Sequence, residues 1–223
     1  MIHRVDGVES TQTLARDLAA SGVAVCGDVV VARTQSAGRG RRGRSWQSPV
    51  GGLYATWILP HDPLIAVRSG TAVARALRGV GCPVALKWPN DVLVGDKKIA
   101  GLLVETSDGV SLVGVGVNRD SEPLPDASSL VREGVDVSVD TLVVAIDREL
   151  RAVLSDSQVL AEYRQLLSTL GRQVRVEHDN GSQRSGVAVD VDSLGRLVVD
   201  DGTATALVAA GRCVHLRQTT GVD

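Results

Sequence analysis

Residues 33–46 read Arg-Thr-Gln-Ser-Ala-Gly-Arg-Gly-Arg-Arg-Gly-Arg-Ser-Trp, and no other stretch constrains the fold of this chain as tightly. Five arginines (Arg33, Arg39, Arg41, Arg42, Arg44) are spaced by three glycines (Gly38, Gly40, Gly43), and no acidic residue occurs from Val29 to His61. A local charge of +5 on so flexible a backbone makes an anion trap. Glycine lets backbone N–H groups turn toward a ligand, and guanidinium forks fit carboxylate and phosphate oxygens two at a time. Gly38-Arg39-Gly40-Arg41-Arg42-Gly43 also fits the G-x-G-x-x-G dinucleotide fingerprint, but that fingerprint needs a helix opening at its second glycine. Pro49, Gly51 and Gly52 follow instead and keep the segment from becoming helical. The expectation is a loop that leaves the strand Val29–Ala32 and binds anions with side chains as well as backbone.

The whole chain of 223 residues is formally −2, which argues against a general nucleic-acid binder. It is 43% hydrophobic and 22% charged, as expected of a globular protein with a sizeable core. That core has to be built from Val, Leu, Ile and Ala, because phenylalanine is absent and only five residues are Trp or Tyr. No signal peptide or membrane span is apparent, and Cys26, Cys82 and Cys213 are odd in number and far apart, which fits reduced thiols in a cytoplasm. The four histidines are not at ligand spacing, so no zinc site is expected.

An apolar i, i+4 stripe after Ser10-Thr11-Gln12 predicts a helix that stops at Gly22, with Ser10 or Thr11 as its cap. Strands are predicted at Val29–Ala32, Leu53–Leu59, Val84–Trp88, Asp91–Val94, Ile99–Glu105 and Val110–Val117, and helices over 64–78, 139–154 and 157–169. Residues 119–136, with Pro123, Pro125 and several acids, read as a surface loop. After Gly171 the pattern changes to short strands separated by Asp-Asn-Gly, Ser-Leu-Gly and Asp-Asp-Gly turns. About 45 residues of this kind cannot bury much core alone, so this part is expected to lean on the larger one. Lys87-Trp88-Pro89-Asn90-Asp91 is predicted to end a strand in a fixed turn, since Pro89 forces Trp88 out of helical space, and so to hold polar groups at the mouth of a sheet.

Along nearly its whole length the chain resembles the biotin–protein ligases. The resemblance is carried by Ser10-Thr11, Gln35 with Ala37-Gly38-Arg39-Gly40-Arg41-Arg42-Gly43-Arg44-x-Trp46, Ser48-Pro49 and Lys87-Trp88-Pro89-Asn90-Asp91. It continues through Lys97-Lys98-Ile99-Ala100-Gly101-Leu102-Leu103-Val104-Glu105 and Gly114-Val-Gly116-Val-Asn118, then Gly186-x-Ala188, Gly195-x-Leu197, Gly211 and Leu216-Arg217. It implies an α+β fold: a mixed-sheet catalytic domain flanked by helices, class II synthetase-like, over 1–170, and a small C-terminal SH3-like β-barrel over 171–223. It also implies a two-step reaction in which biotin and ATP give biotinyl-5′-AMP and pyrophosphate. The biotinyl group then passes to a lysine of a biotin carboxyl carrier domain of acetyl-CoA carboxylase or a related carboxylase. By resemblance, Lys87 and Arg41 are catalytic, and Ser10, Thr11, Gln12, Gln35, Arg39, Gly40, Arg41, Lys87, Gly101 and Gly116 hold biotin. Arg39, Arg41, Arg42, Arg44, Trp46, Asn90, Lys98 and Asn118 hold the nucleotide. Gly101 and Gly116 would let backbone come close to the bound ring.

Magnesium is expected with ATP, and Asp91 is either its ligand or an acid capping the Pro-Asn turn. No DNA partner is expected, because only nine residues precede Ser10, too few for the helix-turn-helix domain some members carry, and no membrane partner, because charges interrupt every long apolar run. No feature specifies the oligomeric state. Two departures stand out: Gln12 where the family usually has Asn, and a shortened turn, Val50-Gly51-Gly52, after Ser48-Pro49. A lipoate or octanoate ligase shares the acyl-adenylate logic, but the arginine loop and Lys-Trp-Pro-Asn-Asp favour biotin. A non-catalytic single-strand binder would need aromatic platforms and a long positive groove, and five aromatic residues with one basic loop do not supply them.

Overall fold

The structure is a computed structural model that describes residues 1–121 and 124–216. The first sheet is formed by β1 (Ile2–Val8), β2 (Val29–Gln35), β3 (Leu53–Pro60), β4 (Ala85–Lys87), β5 (Asp91–Val94), β6 (Lys97–Ser107) and β7 (Val110–Val117). Its strand order is β1-β2-β3-β7-β6-β5-β4. The pair β1–β2 is parallel, and α1 (Thr11–Ala20) supplies the crossover that a parallel pair needs. The other ladders are antiparallel, so the sheet is mixed, as expected.

The run Val29-Val30-Val31 shows why the sheet is covered on both sides. Successive strand residues face opposite ways, and all three valines are buried. Val29 and Val31 join the main core, to which α2 (Ile65–Gly79) and α3 (Val139–Val153) contribute Ala72, Leu77, Leu142 and Ile146. Val30 packs in a second cluster with Ala15 of α1, Ile58 and Leu112. Each fully buried aliphatic side chain is worth about 1.5–3 kcal/mol, so continuous apolar strands are favoured only when both faces are covered.

The helix α4 (Val159–Leu166) leads into a second sheet of β8 (Gln173–Glu177), β9 (Gln183–Val191), β10 (Leu197–Asp200), β11 (Thr205–Val208) and β12 (Arg212–His215). Its antiparallel order is β11-β10-β9-β8-β12, the small β unit expected of the C-terminal part; among the described residues no ladder joins β11 to β12. As predicted, it leans on the larger unit: Val174, Val176, Leu197 and Val199 belong to the same core as Leu77 and Trp88. Trp88 Nε1 donates to the Gly195 carbonyl at 3.0 Å. Residue 195 has to be glycine, because its φ is +75° and a Cβ there would lie 2.4 Å from Val67.

Two strands escape the sequence reading, β1 and β12. In β1 the solvent-facing edge alternates Ile2, Arg4 and Asp6, so apolar periodicity is lost. Ser10 does occupy the N-cap position of α1, but its side chain makes no capping bond. The segment 119–136 is not wholly a surface loop: residues 127–130 are buried, with Leu130 fully enclosed. Leu130 N donates to the Asn118 carbonyl at 3.0 Å, which draws the segment under the sheet end. Pro123 and Arg217 lie outside the described residues.

On β12, His215 Nε2 sits 3.0 Å from Thr169 Oγ1, which accepts from Trp88 N at 3.0 Å. Burial, then the nearby cations Lys87 and Arg172, hold its imidazole down at about 4. The unfolded chain takes up this proton near pH 6.5 while the folded one refuses it, so stability present at pH 7 is lost as pH falls from about 6.5 to about 4. His215→Gln is expected to flatten the fall in melting temperature between pH 7 and pH 5. Parallel slopes for the two proteins would remove His215 from the acid sensitivity.

Candidate functional site

The arginine loop folds back on itself as a tight hairpin. Gly40 N donates to the Arg44 carbonyl at 2.7 Å, Trp46 N donates to the Gly38 carbonyl at 2.8 Å, and Arg41–Gly43 form one turn of 3-10 helix. Gly38 is required here, since a Cβ would lie 2.4 Å from the Trp46 carbonyl oxygen. The hairpin ends by laying Trp46 on the sheet. Gly101 of β6 and Gly116 of β7 face each other in register, and a Cβ on either would meet the indole at 2.9 Å and 2.5 Å. Lys98 Nζ is 5.2 Å from the ring centroid, a cation–π contact, and is ion-paired with Asp91. Trp46 Nε1 is buried with no hydrogen-bond partner among the described residues.

Around this floor lies a cavity of about 310 Å³ lined by Gln35, Arg39, Gly40, Arg41, Arg44, Lys87, Asn90, Asp91, Lys98 and Asn118 among others. A hollow of about 340 Å³ adjoins it and shares Arg41, Lys87 and Asn90. The turn between β4 and β5 places Lys87 opposite Asp91, and its Trp88–Pro89 peptide is cis. Asn90 pins that turn to β6: its Nδ2 donates to the Leu102 carbonyl at 2.6 Å, and Leu102 N donates to the Asn90 carbonyl at 2.9 Å. Asn118 is held by Nδ2 donation to the Ser128 carbonyl at 3.1 Å.

The cations of the site divide into two groups. Arg39 Nη2 donates to Glu105 at 3.1 Å, Arg42 pairs with Asp179, and Lys98 pairs with Asp91. Arg41, Arg44 and Lys87 have no carboxylate partner among the described residues; Arg44 Nε donates only to the Arg41 carbonyl, at 3.4 Å. Burial, then the adjacent Arg44 cation, lowers the proton affinity of Arg41. A half-buried cation without a counter-ion is stabilised by any anion that enters beside it.

Ser10, Thr11 and Gln12 do not line the cavity; they are buried behind its wall. Thr11 donates from N and Oγ1 to Gln35 Oε1 at 2.8 and 3.1 Å, and Gln35 Nε2 donates to Ser48 Oγ at 2.8 Å. Gln12 Nε2 donates to the Leu112 carbonyl at 3.1 Å while its Oε1 lies 3.2 Å from Thr56 Oγ1. The longer amide fits because residue 114 is glycine: a Cβ there would meet Gln12 Oε1 at 2.6 Å.

Arg42, expected on the nucleotide, does not line the cavity: with a φ of +61° it pairs with Asp179 and donates to the Glu177 carbonyl of the second sheet. The ring expected over Gly101 and Gly116 has its place taken by the Trp46 indole. The shortened turn is filled by Asp120, whose carboxylate would be 2.1 Å from a Cβ on Gly51, where φ is +106°. Sequence reasoning missed Thr56, Glu105, Asp126 and the β12 segment Gly211–Cys213, the last four of these positions lining the cavity. Of these, Glu105 and Gly211 stood in matched motifs without a role assigned to them, and the others carried no signal.

A sheet end with a glycine floor, a cationic rim and three cations (Arg41, Arg44 and Lys87) without a carboxylate partner among the described residues defines a pocket for paired anions. Comparison with known proteins narrows it. Residues 5–120 match the Biotin/lipoate A/B protein ligase family and residues 169–216 match the Biotin protein ligase C terminal domain. The biotin--[acetyl-CoA-carboxylase] ligase of Mycobacterium tuberculosis is 36% identical over 96% of this chain and 90% of its own length. The bifunctional ligase/repressor BirA of Escherichia coli is 37% identical over 61% of this chain and 49% of its own. The biotin protein ligase from Aquifex aeolicus in complex with biotin and ATP superposes with a TM-score of 0.85, at 24% identity over 97% of this chain and 98% of that one. The ligase from Leishmania major in complex with biotinyl-5-AMP gives 0.71 at 28% identity, with 97% and 98% covered. The chain belongs to the biotin/lipoate A/B protein ligase family.

Gly116→Ala is expected to drive Trp46 off the floor, because a methyl cannot share the 2.5 Å gap, at a cost of about 1–3 kcal/mol. Trp57 and Trp88 stay buried, so a red shift of tryptophan emission reads Trp46 alone; an unchanged spectrum would mean the indole does not rest there.

Proposed function

We propose that this chain is a biotin–protein ligase. It joins biotin to ATP as biotinyl-5′-AMP, releasing pyrophosphate, and then transfers biotin to a lysine of the carrier domain of acetyl-CoA carboxylase or a related carboxylase. The observation that carries the reading is that Lys87 and Arg41, half-buried cations without a carboxylate partner among the described residues, line one hollow together. Support comes also from the resemblance to the M. tuberculosis ligase over almost the whole chain. We take 1–170 as the catalytic unit and 171–223 as the SH3-like one.

The first step has to bring a carboxylate oxygen to an α-phosphorus. Two unit negative charges about 4 Å apart repel by about 4 kcal/mol at an effective dielectric near 20, roughly three decades in rate. Lys87 and Arg41 offset that repulsion and stabilise the charge of the pentavalent centre as the bond to pyrophosphate breaks. Arg39 and Arg44 line the same wall and hold oxygens from the loop side. Lys98, tempered by Asp91, completes the cationic floor beside Trp46, whose free Nε1 offers a donor to a bound acceptor. Thr11 and Gln12 act from behind the wall, Thr11 fixing Gln35 in it, and together with Ser48 and Thr56 they set the polar end of the biotin pocket. In the second step the carrier lysine amine attacks the acyl carbon, AMP leaves, and the amine proton passes to solvent.

Magnesium is expected on the ATP phosphates. Among the described residues no three His, Cys, Asp or Glu side chains converge to cage a metal, and Asp91 is engaged by Lys98, so no step is assigned to the ion. Among the described residues no helix is long and apolar enough to cross a membrane. Free thiols at Cys26, Cys82 and Cys213 support a cytoplasmic site of action.

Pyrophosphate exchange into ATP, run with biotin, lipoate and octanoate side by side, is expected to proceed with biotin alone. Exchange with lipoate or octanoate instead would place the chain in the other branch of the family. Lys87→Ala is expected to lower exchange by about 100–1,000-fold, the usual loss for one transition-state donor, with unchanged melting temperature. Near-normal exchange would take Lys87 out of the mechanism. Arg41→Gly is expected to let free biotinyl-5′-AMP escape and label bystander lysines; full retention of the adenylate would end that role.

A further inference from the structure

The loop's remaining arginine points away from the chemistry. Arg41 and Arg44 line the cavity, but Arg42 between them does not. Arg42 pairs with Asp179, and its Nη1 donates to the Glu177 carbonyl at 2.9 Å. Both partners lie where β8 turns into β9, more than a hundred residues away in sequence and in the other sheet. We infer that this turn is a catch for the arginine loop: Asp179 and the Glu177 carbonyl hold Arg42 and thereby keep the loop over the cavity.

Two independent features support it. Arg42 has φ 61° and ψ 39°, a left-handed conformation that a side-chain-bearing residue adopts only when its surroundings impose it. The contacts to the C-terminal sheet are the surroundings that do so. The catch is also preformed. Glu177 is held in the β8–β9 ladder opposite Gln183, and its carboxylate accepts from Arg175 at 3.2 Å and faces Arg212 at 3.5 Å. Beyond it, Asn180 Oδ1 accepts from Ser182 N at 3.0 Å and Oγ at 2.7 Å, closing the turn that presents Asp179.

On the opposite side, Arg39 is tied to Glu105 of β6, a carboxylate that also pairs with Arg16. The loop is thus fastened once to each sheet. Arg42 is therefore a positioning residue, and the small sheet sets how long the loop stays closed. The consequence for the adenylate rests on the function proposed above; the catch itself does not.

Amide hydrogen exchange of residues 38–46, followed on the full chain without substrates, tests the catch directly. Asp179→Asn keeps the side chain's shape and removes its charge. It is expected to speed exchange of the loop about fivefold, the upper range for one exposed ion pair, and to leave β9 and β10 protection unchanged. Raising salt should have the same effect on the unaltered protein. The charge swap Arg42→Asp with Asp179→Arg is expected to slow exchange again, since aspartate tolerates the left-handed region. In turnover, Asp179→Asn should release biotinyl-5′-AMP faster while its rate of formation stays within about twofold. Unchanged loop exchange in Asp179→Asn, or no recovery in the swap, overturns the catch. A chain that made no adenylate at all would still give the exchange result, so failure of the function and failure of the catch are distinguishable.

Discussion

The site depends on how carboxylates are shared among its cations. A loop carrying Arg39, Arg41, Arg42 and Arg44 within six residues repels itself unless anions are supplied. The fold supplies them selectively: Glu105 goes to Arg39, Asp179 to Arg42 and Asp91 to Lys98. Arg41, Arg44 and Lys87 are left for whatever enters the hollow. Were Arg41 also paired to protein, it would hold a closed loop but would have less to offer a carboxylate meeting a phosphate. Were none paired, only Trp46 on its glycine floor would hold the loop over the sheet. The mixture of fastened and unfastened cations makes a cover that is both located and responsive.

The glycines belong to the same design. Gly101 and Gly116 stand opposite each other on β6 and β7, and Gly114 lies one outward step along β7. Removing three side chains from adjacent sheet positions costs strand stability, since glycine packs nothing. Here the lost volume is filled from one face, the one that carries α1. Trp46 covers Gly101 and Gly116, and Gln12 presses against Gly114 beside it. The strands keep their ladder while the cavity gains a flat floor, and the unpaired Trp46 Nε1 keeps that contact from being fully satisfied by the protein alone.

What the sequence made legible follows the range of the physics. Strands β2, β3 and β7 and helix α2 are written in local periodicity, and turn residues mark the small strands after Gly171. Lys87, Asn90 and Arg41 were legible because glycine spacing and an X-Pro turn restrict the backbone locally. Partners distant in sequence were not. Glu105 meets Arg39 across 66 residues, and the Glu177 backbone carbonyl meets Arg42 across 135. Neither Glu105 nor Asp179, the acid paired with Arg42, shows its partner in its local sequence. Arg42 itself looked equivalent to its neighbours, because a left-handed φ on a non-glycine residue leaves no trace in composition. Ser128 and Ser129 read as surface residues, yet they are buried, with Ser128 bonded to Glu133 and Asn118.

The same distinction explains why a β unit too small to hold itself together belongs at this site. Its inner face completes the main core, and Trp88 Nε1 binds the Gly195 carbonyl from the turn that carries Lys87. Its β12 edge brings Gly211 and Cys213 to the cavity, and its β8–β9 turn reaches Arg42. One small sheet therefore touches both halves of the pocket, the Lys87 turn through Gly195 and the arginine loop through Glu177 and Asp179, although residues far apart in sequence build them.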